Sequence, residues 1–209
     1  MLDVFTAAFR LEPPGQAAGV TWADERLAGA AGYRELAGAF AGCSFEQGLY
    51  RVHDGVTGPL ALSWVTSYFP QFAGRACPFS QDWLGRQFAV DYGRLEDGEP
   101  LVLLFEPGTG EVLEIPFSFT RFHEQLDALR EPALAASFFA AWTGTRPGVL
   151  PLDARHCAGY KVPLFLGGSD SAENLEIVDL DVYWSVSAQL RHGTRVLPPG
   201  SSIGQVGRG

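Results

Sequence analysis

Residues 101–115 read LVLLFEPGTGEVLEI, and this stretch decides the fold. Its two ends, LVLLF and VLEI, are rich in branched and aromatic residues, which favour β-strands. Between them lies EPGTGE, whose proline and glycines favour a tight turn. We therefore predict strands near 101–106 and 111–116, joined as a hairpin by a turn at 107–110.

Two further strands are predicted upstream of this hairpin. GLYRVH at 48–53 alternates apolar and polar residues, and FAVDY at 88–92, within a strand expected near 87–92, is rich in aromatic and branched residues. The connections between these runs are too short for crossover helices, so the strands are expected to pair antiparallel.

Helical spacing appears on both sides of the β-rich region. Tyr33, Leu36, Ala37 and Phe40 recur at i, i+3, i+4 and i+7, which predicts one face of a helix. Other helices are predicted at 2–9, 59–69, 119–129, with Ser118 as N-cap, and 132–142, which begins at Pro132. A last helix is predicted near 182–192, because Val182, Val186 and Leu190 recur at steps of four. Asp179 or Asp181 lies at its start and Gly193 at its end. Helices and strands that do not strictly alternate indicate an α+β fold.

The composition restricts the class of protein. The chain has 209 residues, a hydrophobic fraction of 46% and a net charge of -9. This length suits one domain, and the negative charge repels nucleic acid and anionic membranes while attracting a basic partner. Cys43, Cys77 and Cys157 form no close motif, so a reducing compartment is expected. With no apolar run long enough to span a bilayer, we expect a cytoplasmic protein.

No complete catalytic, metal or cofactor motif occurs in the sequence. FHEQLD at 122–127 departs from the zinc-protease helix because Asp127 replaces the second histidine, so His123 and Glu124 are expected on a solvated helix face. GGSDS at 167–171 lacks the last glycine of a nucleophile elbow, which makes Ser169 a turn residue. Cys157 has no base within reach, because the side chain of the adjacent His156 would point to the other face of a strand.

Lys161, the only lysine of the chain, begins KVPLFLGG at 161–168. A catalytic lysine requires burial that lowers its pKa, and the sequence cannot establish burial. Two interpretations therefore stand: a catalytic lysine beside a glycine-rich loop, or a buried strand, VPLFL, that ends in a turn. The second is favoured, and we expect a non-catalytic protein without cofactor or metal. Paired carboxylates such as Glu96 with Asp97 are expected to be solvated.

Six separated blocks together resemble the C-terminal domain family of type VI secretion DNase-immunity proteins, which is similar to a branch of the SUKH superfamily with the yeast Smi/Knr regulators. The blocks are FEQGLYRVH (45–53), FSQDWLGRQFAVD (79–91), LLFEPGTGEVLEIP (103–116), SFTRFH (118–123), GYKVPLFLGGSD (159–170) and NLEIVDLDVYW (174–184) with Gln189-Leu190. The resemblance implies a curved, largely antiparallel sheet flanked by helices. Trp83, Tyr160, Phe165 and Trp184 in these blocks are expected to be mostly buried.

Residues 1–209 are expected to form one domain. The resemblance divides this domain into an N-terminal extension (1–32), a family-like core (33–200) and a loose tail (201–209). It implies a bacterial immunity protein that binds and blocks a toxin, often a nuclease; a basic toxin would suit the negative charge. The alternatives are a regulatory binding protein of the Smi/Knr type and an enzyme of unknown reaction. The candidate partner-binding residues are Asp170, Glu173, Glu176, Asp179 and Asp181.

Overall fold

The computed structural model describes residues 1–12 and 20–195. Its helices are α1 (Leu2–Ala8), α2 (Glu25–Gly29), α3 (Tyr33–Phe40), α4 (Thr57–Tyr68), α5 (Phe119–Gln125), α6 (Arg130–Leu134), α7 (Ala136–Gly144) and α8 (Leu180–Arg195). Its strands are β1 (Ser44–Phe45), β2 (Tyr50–Val52), β3 (Ala76–Asp82), β4 (Gln87–Glu96), β5 (Glu99–Glu106), β6 (Glu111–Ser118), β7 (His156–Tyr160) and β8 (Leu175–Asp179). The predicted loose tail, residues 201–209, lies outside the described residues.

Strands β1 to β6 form one sheet in chain order, and every neighbouring pair is antiparallel. The predicted hairpin is confirmed: Phe105 pairs with Val112 and Glu106 with Glu111. The strands predicted near 48–53 and 87–92 are also confirmed, as β2 and β4. The α+β fold with a flanked antiparallel sheet is therefore established.

Helices cover both faces of the sheet, because successive residues of a strand point to opposite sides. Leu104 belongs to a core shared with α1, α2, α3 and α5, whereas Leu103 belongs to a second core shared with α4 and α8. This two-sided burial explains why the central strands are apolar without alternation.

β3 was not predicted, because its sequence, ACPFSQD, contains four residues that are rare in strand interiors. All seven residues are nevertheless buried. Two of its polar side chains find partners inside the protein: Gln81 Nε2 donates to the Ala154 carbonyl at 3.1 Å, and Asp82 accepts from Arg86 Nε at 2.6 Å. Internal hydrogen bonds thus replace the water that such side chains usually require.

The C-terminal part adds an antiparallel pair, β7–β8, whose connection contains two short 3₁₀ turns. The prediction that VPLFL forms a buried strand is wrong. Leu164–Leu166 form a 3₁₀ turn, Val162 is exposed, and Phe165 is only half-buried. Pro163 lacks the N–H that a strand ladder needs, and the backbone N–H of Leu164 donates to the Gly108 carbonyl at 2.9 Å. Trp83, Tyr160 and Trp184 are buried as predicted.

Helix α8 buries a different face from the one predicted. Val182 and Val186 are 53% and 46% exposed, while Leu180, Tyr183 and Trp184 pack into the core. The aromatic residues bury more apolar surface than valines do, so they decide the rotation of the helix. The predicted end at Gly193 is also wrong, because α8 continues to Arg195.

Two other helix predictions need correction. The helix predicted at 132–142 is divided into α6 and α7 by Ala135, which has a left-handed φ of 49°. His123, expected on a solvated face of α5, is 1% exposed. Its Nδ1 donates to the Phe119 carbonyl at 2.8 Å and its Nε2 lies 2.9 Å from the Tyr50 hydroxyl. The imidazole is buried because the protein supplies a partner for each ring nitrogen.

Candidate functional site

The β7–β8 connection, residues 161–174, is held in shape by the buried side chain of Asn174. Its Oδ1 accepts a hydrogen bond from the Val162 N–H at 3.0 Å. Its Nδ2 donates to the carbonyls of Val162 and Ser169 at 2.9 and 2.8 Å. One amide therefore fixes both ends of the loop, which we call the motif loop.

Two glycines are required by close contacts around the motif loop. A Cβ at Gly168 would lie 1.9 Å from the Val162 carbonyl oxygen, a backbone atom that cannot move aside cheaply. A Cβ at Gly108, in the β5–β6 turn, would lie 2.6 Å from the ring of Tyr160. Because Gly108 also accepts a hydrogen bond from Leu164, the hairpin turn and the motif loop form one packed unit.

Lys161 makes a structural contact, although VPLFL does not form the buried strand of the favoured interpretation. Its side chain is exposed, and its Nζ donates to the Glu173 carbonyl at 2.6 Å. It therefore joins the two arms of the motif loop at the surface. The burial that a catalytic amine requires is missing at this position.

A buried ion pair lies next to the start of β4. Asp82 accepts from Arg86 Nε at 2.6 Å and from the backbone N–H groups of Leu84 and Arg86 at 3.0 Å. Burial raises the pKa of the Asp82 carboxyl, and Arg86 opposes that shift. Arg51, also buried, donates to the carbonyls of Asp82 and His156 at 2.7 Å. This network attaches β7 to the main sheet.

Two further acidic groups, Asp170 of the motif loop and Glu106 at the end of β5, also accept hydrogen bonds within the protein. The Tyr160 hydroxyl donates to Asp170 Oδ1 at 2.6 Å. Burial is the main cause that raises the pKa of Tyr160, and this hydrogen bond raises it further. Glu106 accepts from the Thr109 hydroxyl at 3.2 Å, and burial raises the pKa of its carboxyl. The tyrosine is thus held protonated as a hydrogen-bond donor, which makes it unsuitable as a general base at neutral pH.

The five acidic residues predicted to bind a partner differ in what they already contact. Asp179 accepts from the Asp181 N–H at 2.9 Å and caps α8, and Asp181 accepts from Trp64 Nε1 at 2.7 Å. Asp170 holds Tyr160. Glu173 and Glu176 are exposed; hydrogen bonds from the Glu173 backbone N–H and the Ser171 hydroxyl, together with the nearby charges of Arg146 and Lys161, lower the pKa of the Glu173 carboxyl. These last two are therefore the members of the set best able to meet a partner.

The other sequence-predicted candidates occupy structural positions. Cys157 and Cys77 are buried, and burial raises the pKa of both thiols, which disfavours the nucleophilic thiolate. Ser169 lies in the motif loop with its hydroxyl 3.2 Å from that of Ser171. Within residues 1–12 and 20–195, no three His, Cys, Asp or Glu side chains converge on a possible metal position.

A polar recess of about 320 Å³ opens beside the motif loop and is lined by Thr109, Glu111, Leu164, Phe165 and Arg191. The Arg191 guanidinium lies over the Phe165 ring at 5.3 Å, which explains why Phe165 is only half-buried. Sequence reasoning missed both this recess and the buried ion pair of Asp82 and Arg86. The spacing of Asp82 and Arg86 around Gly85 in DWLGR was the available signal for the ion pair.

In the described ranges of the chain, no helix has the length and apolarity needed to cross a membrane. Residues 147–191, which include β7, the motif loop, β8 and most of α8, match the family described as "T6SS immunity protein Tdi1, C-terminal". This match supports the resemblance to type VI secretion immunity proteins over a narrower range than the six blocks. A comparison with curated protein sequences finds no match.

The fold is similar to that in the crystal structure of Atu4351 from Agrobacterium tumefaciens. The two chains share 16% sequence identity with a TM-score of 0.62, and the similarity covers 90% of this chain and 89% of the other. At that level of identity the comparison concerns the fold alone. The segment that matches the immunity family is thus one part of a larger shared architecture.

Proposed function

We propose that this protein is a cytoplasmic, non-catalytic immunity protein that binds and blocks a toxin delivered by type VI secretion, and that the toxin is a nuclease. The observation that carries the proposal is the match of residues 147–191 to the immunity family. The geometry agrees with it, because the side chains of that segment that resembled catalytic groups serve structural hydrogen bonds or are buried.

Within this proposal, the exposed acidic residues of the 170–181 segment steer the encounter with a basic toxin. Glu173 and Glu176 carry the steering, since Asp170, Asp179 and Asp181 are engaged by Tyr160, the helix N-terminus and Trp64. Electrostatic complementarity acts mainly on the association rate. A nuclease presents a basic surface to its own substrate, so an acidic protein can compete for that surface.

The test uses the toxin encoded beside this chain, purified as a catalytically inactive variant. Association is measured at low and moderate salt for the wild type and for a Glu173→Lys/Glu176→Lys double variant. The matched control is Glu35→Lys/Glu96→Lys, which makes the same change of net charge at exposed positions on α3 and β4. We expect the first double variant to slow association by about tenfold at low salt and the control by about twofold or less.

The outcomes separate the candidate functions. Protection of cells from the active toxin, together with a stable complex, supports immunity. A salt-independent association rate removes the steering role of the acidic segment but leaves immunity intact. The absence of any complex with the neighbouring toxin removes the immunity proposal and favours a regulatory binding protein, and turnover of a small substrate would favour an enzyme.

A further inference from the structure

The outer edge of β6 is a long strand edge without a partner in the described part of the chain. β6 pairs only with β5 in the sheet order. The opposite edge strand, β1, has two residues and is partly covered, because the Glu12 N–H donates to the Ser44 carbonyl at 2.9 Å and Leu11 bridges to Phe45. Of the two ends of this sheet, β6 is therefore the one that offers an open backbone edge to another chain.

An apolar groove runs beside this edge. It is lined mainly by Leu104, Leu113, Ile115, Phe117, Leu129 and Pro132, and its volume is about 230 Å³. Leu113 is 41% exposed, which is high for a leucine within a sheet. The volume is below the range of about 300–1,000 Å³ that small-molecule sites occupy, so the groove suits an inserted aliphatic side chain better than a metabolite.

The charges along β6 favour a basic occupant. Glu111 and Glu114 are exposed, and only Glu114 has a cationic contact, with Arg94 Nη1 at 3.3 Å. Arg121 lies over the Phe117 ring at 5.7 Å, so the acidic character belongs to the 111–114 half of the strand. Cross-strand pairs of opposite charge stabilise a sheet, and like charges directly opposite each other destabilise it.

The same charges oppose some, but not all, of the ways in which a second copy of this chain could pair with β6. Residues that face each other across a symmetric antiparallel pair lie at positions of the same parity, so pairing centred on Glu111 or on Glu114 would set like charges opposite each other, whereas pairing centred on Leu113 would not. Pro116 lacks the N–H that would extend such a ladder. A dimer of this chain through β6 is therefore an outcome that the test must distinguish from the binding of a strand of opposite charge.

We propose that the β6 edge and its groove bind an extended segment of the toxin in which aliphatic and basic residues alternate. This rests on the proposed function, because it assigns a contact within the toxin complex. The added strand pairs antiparallel or parallel with β6, its aliphatic side chains enter the groove beside Leu113 and Ile115, and its basic side chains meet Glu114 on the other face.

The test combines two variants with hydrogen exchange, using the full chain and the inactive neighbouring toxin. Leu113→Ala shortens a groove side chain, and Glu114→Lys reverses the charge on the edge. Each is expected to raise the Kd by about fivefold or more, the size of effect that marks an important interface residue. Glu35→Lys on α3 is the matched charge control and should change the Kd by less than about twofold. Thermal unfolding of each free variant verifies that the fold is retained.

Hydrogen exchange gives a readout that does not depend on the variants. We expect amides of 111–118 to become more protected in the complex than in the free protein. A complex that forms with unchanged exchange in β6 and unchanged Kd in both variants overturns the edge proposal and leaves immunity standing. A free chain that is dimeric through β6 also overturns it. If no complex forms, the proposed function and this inference fail together.

Discussion

Two buried histidines predict a specific loss of stability in mild acid. His53 is 2% exposed with its Nε2 2.8 Å from Gln87 Oε1, and His123 is 1% exposed between Tyr50 and Phe119. Burial lowers the pKa of each imidazole from 6.5 to about 4. Both rings are therefore neutral in the folded protein across a range where they are protonated in the unfolded chain.

The sign and size of the effect follow from this difference. Below the unfolded pKa of about 6.5, the unfolded chain binds protons that the folded protein does not, so the free energy of unfolding decreases as the pH falls. From about pH 6.5 to about pH 5 the cost is about 1.4 kcal/mol per pH unit for each histidine, or about 2 kcal/mol each. The loss ends near the folded pKa of about 4.

The assay is urea denaturation of the wild type and of His123→Phe at about pH 7.5 and at about pH 5. The variant is less stable at the higher pH, because the Tyr50 hydroxyl loses a partner. Its additional loss at the lower pH should nevertheless be about 2 kcal/mol smaller than that of the wild type. Leu103→Ala, a change in a buried residue of the second core on the other face of the sheet, is the control that should keep the wild-type pH dependence.

When the wild type is compared with the variant, the contributions of the other titrating groups to the pH dependence of the free energy of unfolding cancel. Burial raises the pKa of the Glu106 carboxyl, and a raised acid pKa has the opposite sign, since its protonation favours the folded state as the pH falls. That contribution is common to all three proteins and cancels in the difference. Equal pH dependence in the wild type and in His123→Phe would refute the argument that burial keeps this imidazole neutral.

Three further substitutions test the packing around the motif loop. Trp184→Ala should destabilise by about 3–5 kcal/mol in urea denaturation, because a fully buried indole that donates to the Gly85 carbonyl is removed. Gly168→Ala should cost about 1–3 kcal/mol, since its Cβ would meet the Val162 carbonyl oxygen; an unchanged midpoint would contradict the close contact. Lys161→Met should cost less than about 1 kcal/mol and leave toxin binding intact, and loss of binding would show that the lysine is a contact residue.

The hairpin and the main sheet were predictable because local and tertiary preferences agree there. LVLLF and VLEI are strand formers on both sides of a turn sequence, and the structure places Phe105 opposite Val112. β3 could not be predicted, since Gln81 is polar and is buried because its Nε2 donates to the carbonyl of Ala154, 73 residues away. Local sequence contains no record of such distant partners.

The rotation of α8 and the burial of His123 show a second reason why the sequence alone did not predict every feature of the structure. In α8, valines and aromatic residues both follow helical spacing, and only packing against the sheet selects Tyr183 and Trp184 for the core. His123 is polar by type, yet Phe119 and Tyr50 supply partners for its two nitrogens. In both cases the sequence defines the helix, while contacts between elements decide which face is buried.

Several residues of the segment that matches the immunity family are already needed for contacts within the protein, and this limits what the segment can reveal about a partner. In the segment that matches the immunity family, Gly168 is required by a backbone contact, Asn174 by three hydrogen bonds, and Asp179 by the cap of α8. Such constraints hold for any protein with this architecture, whatever it binds. Under the proposed function, recognition of one particular toxin would depend on exposed side chains that do not hold the fold together, and Glu176 on β8 and Leu113 on β6 are exposed. The variants most informative about specificity are therefore expected at exposed positions within the family blocks, such as Glu176 and Leu113, and not at the residues whose contacts maintain the fold.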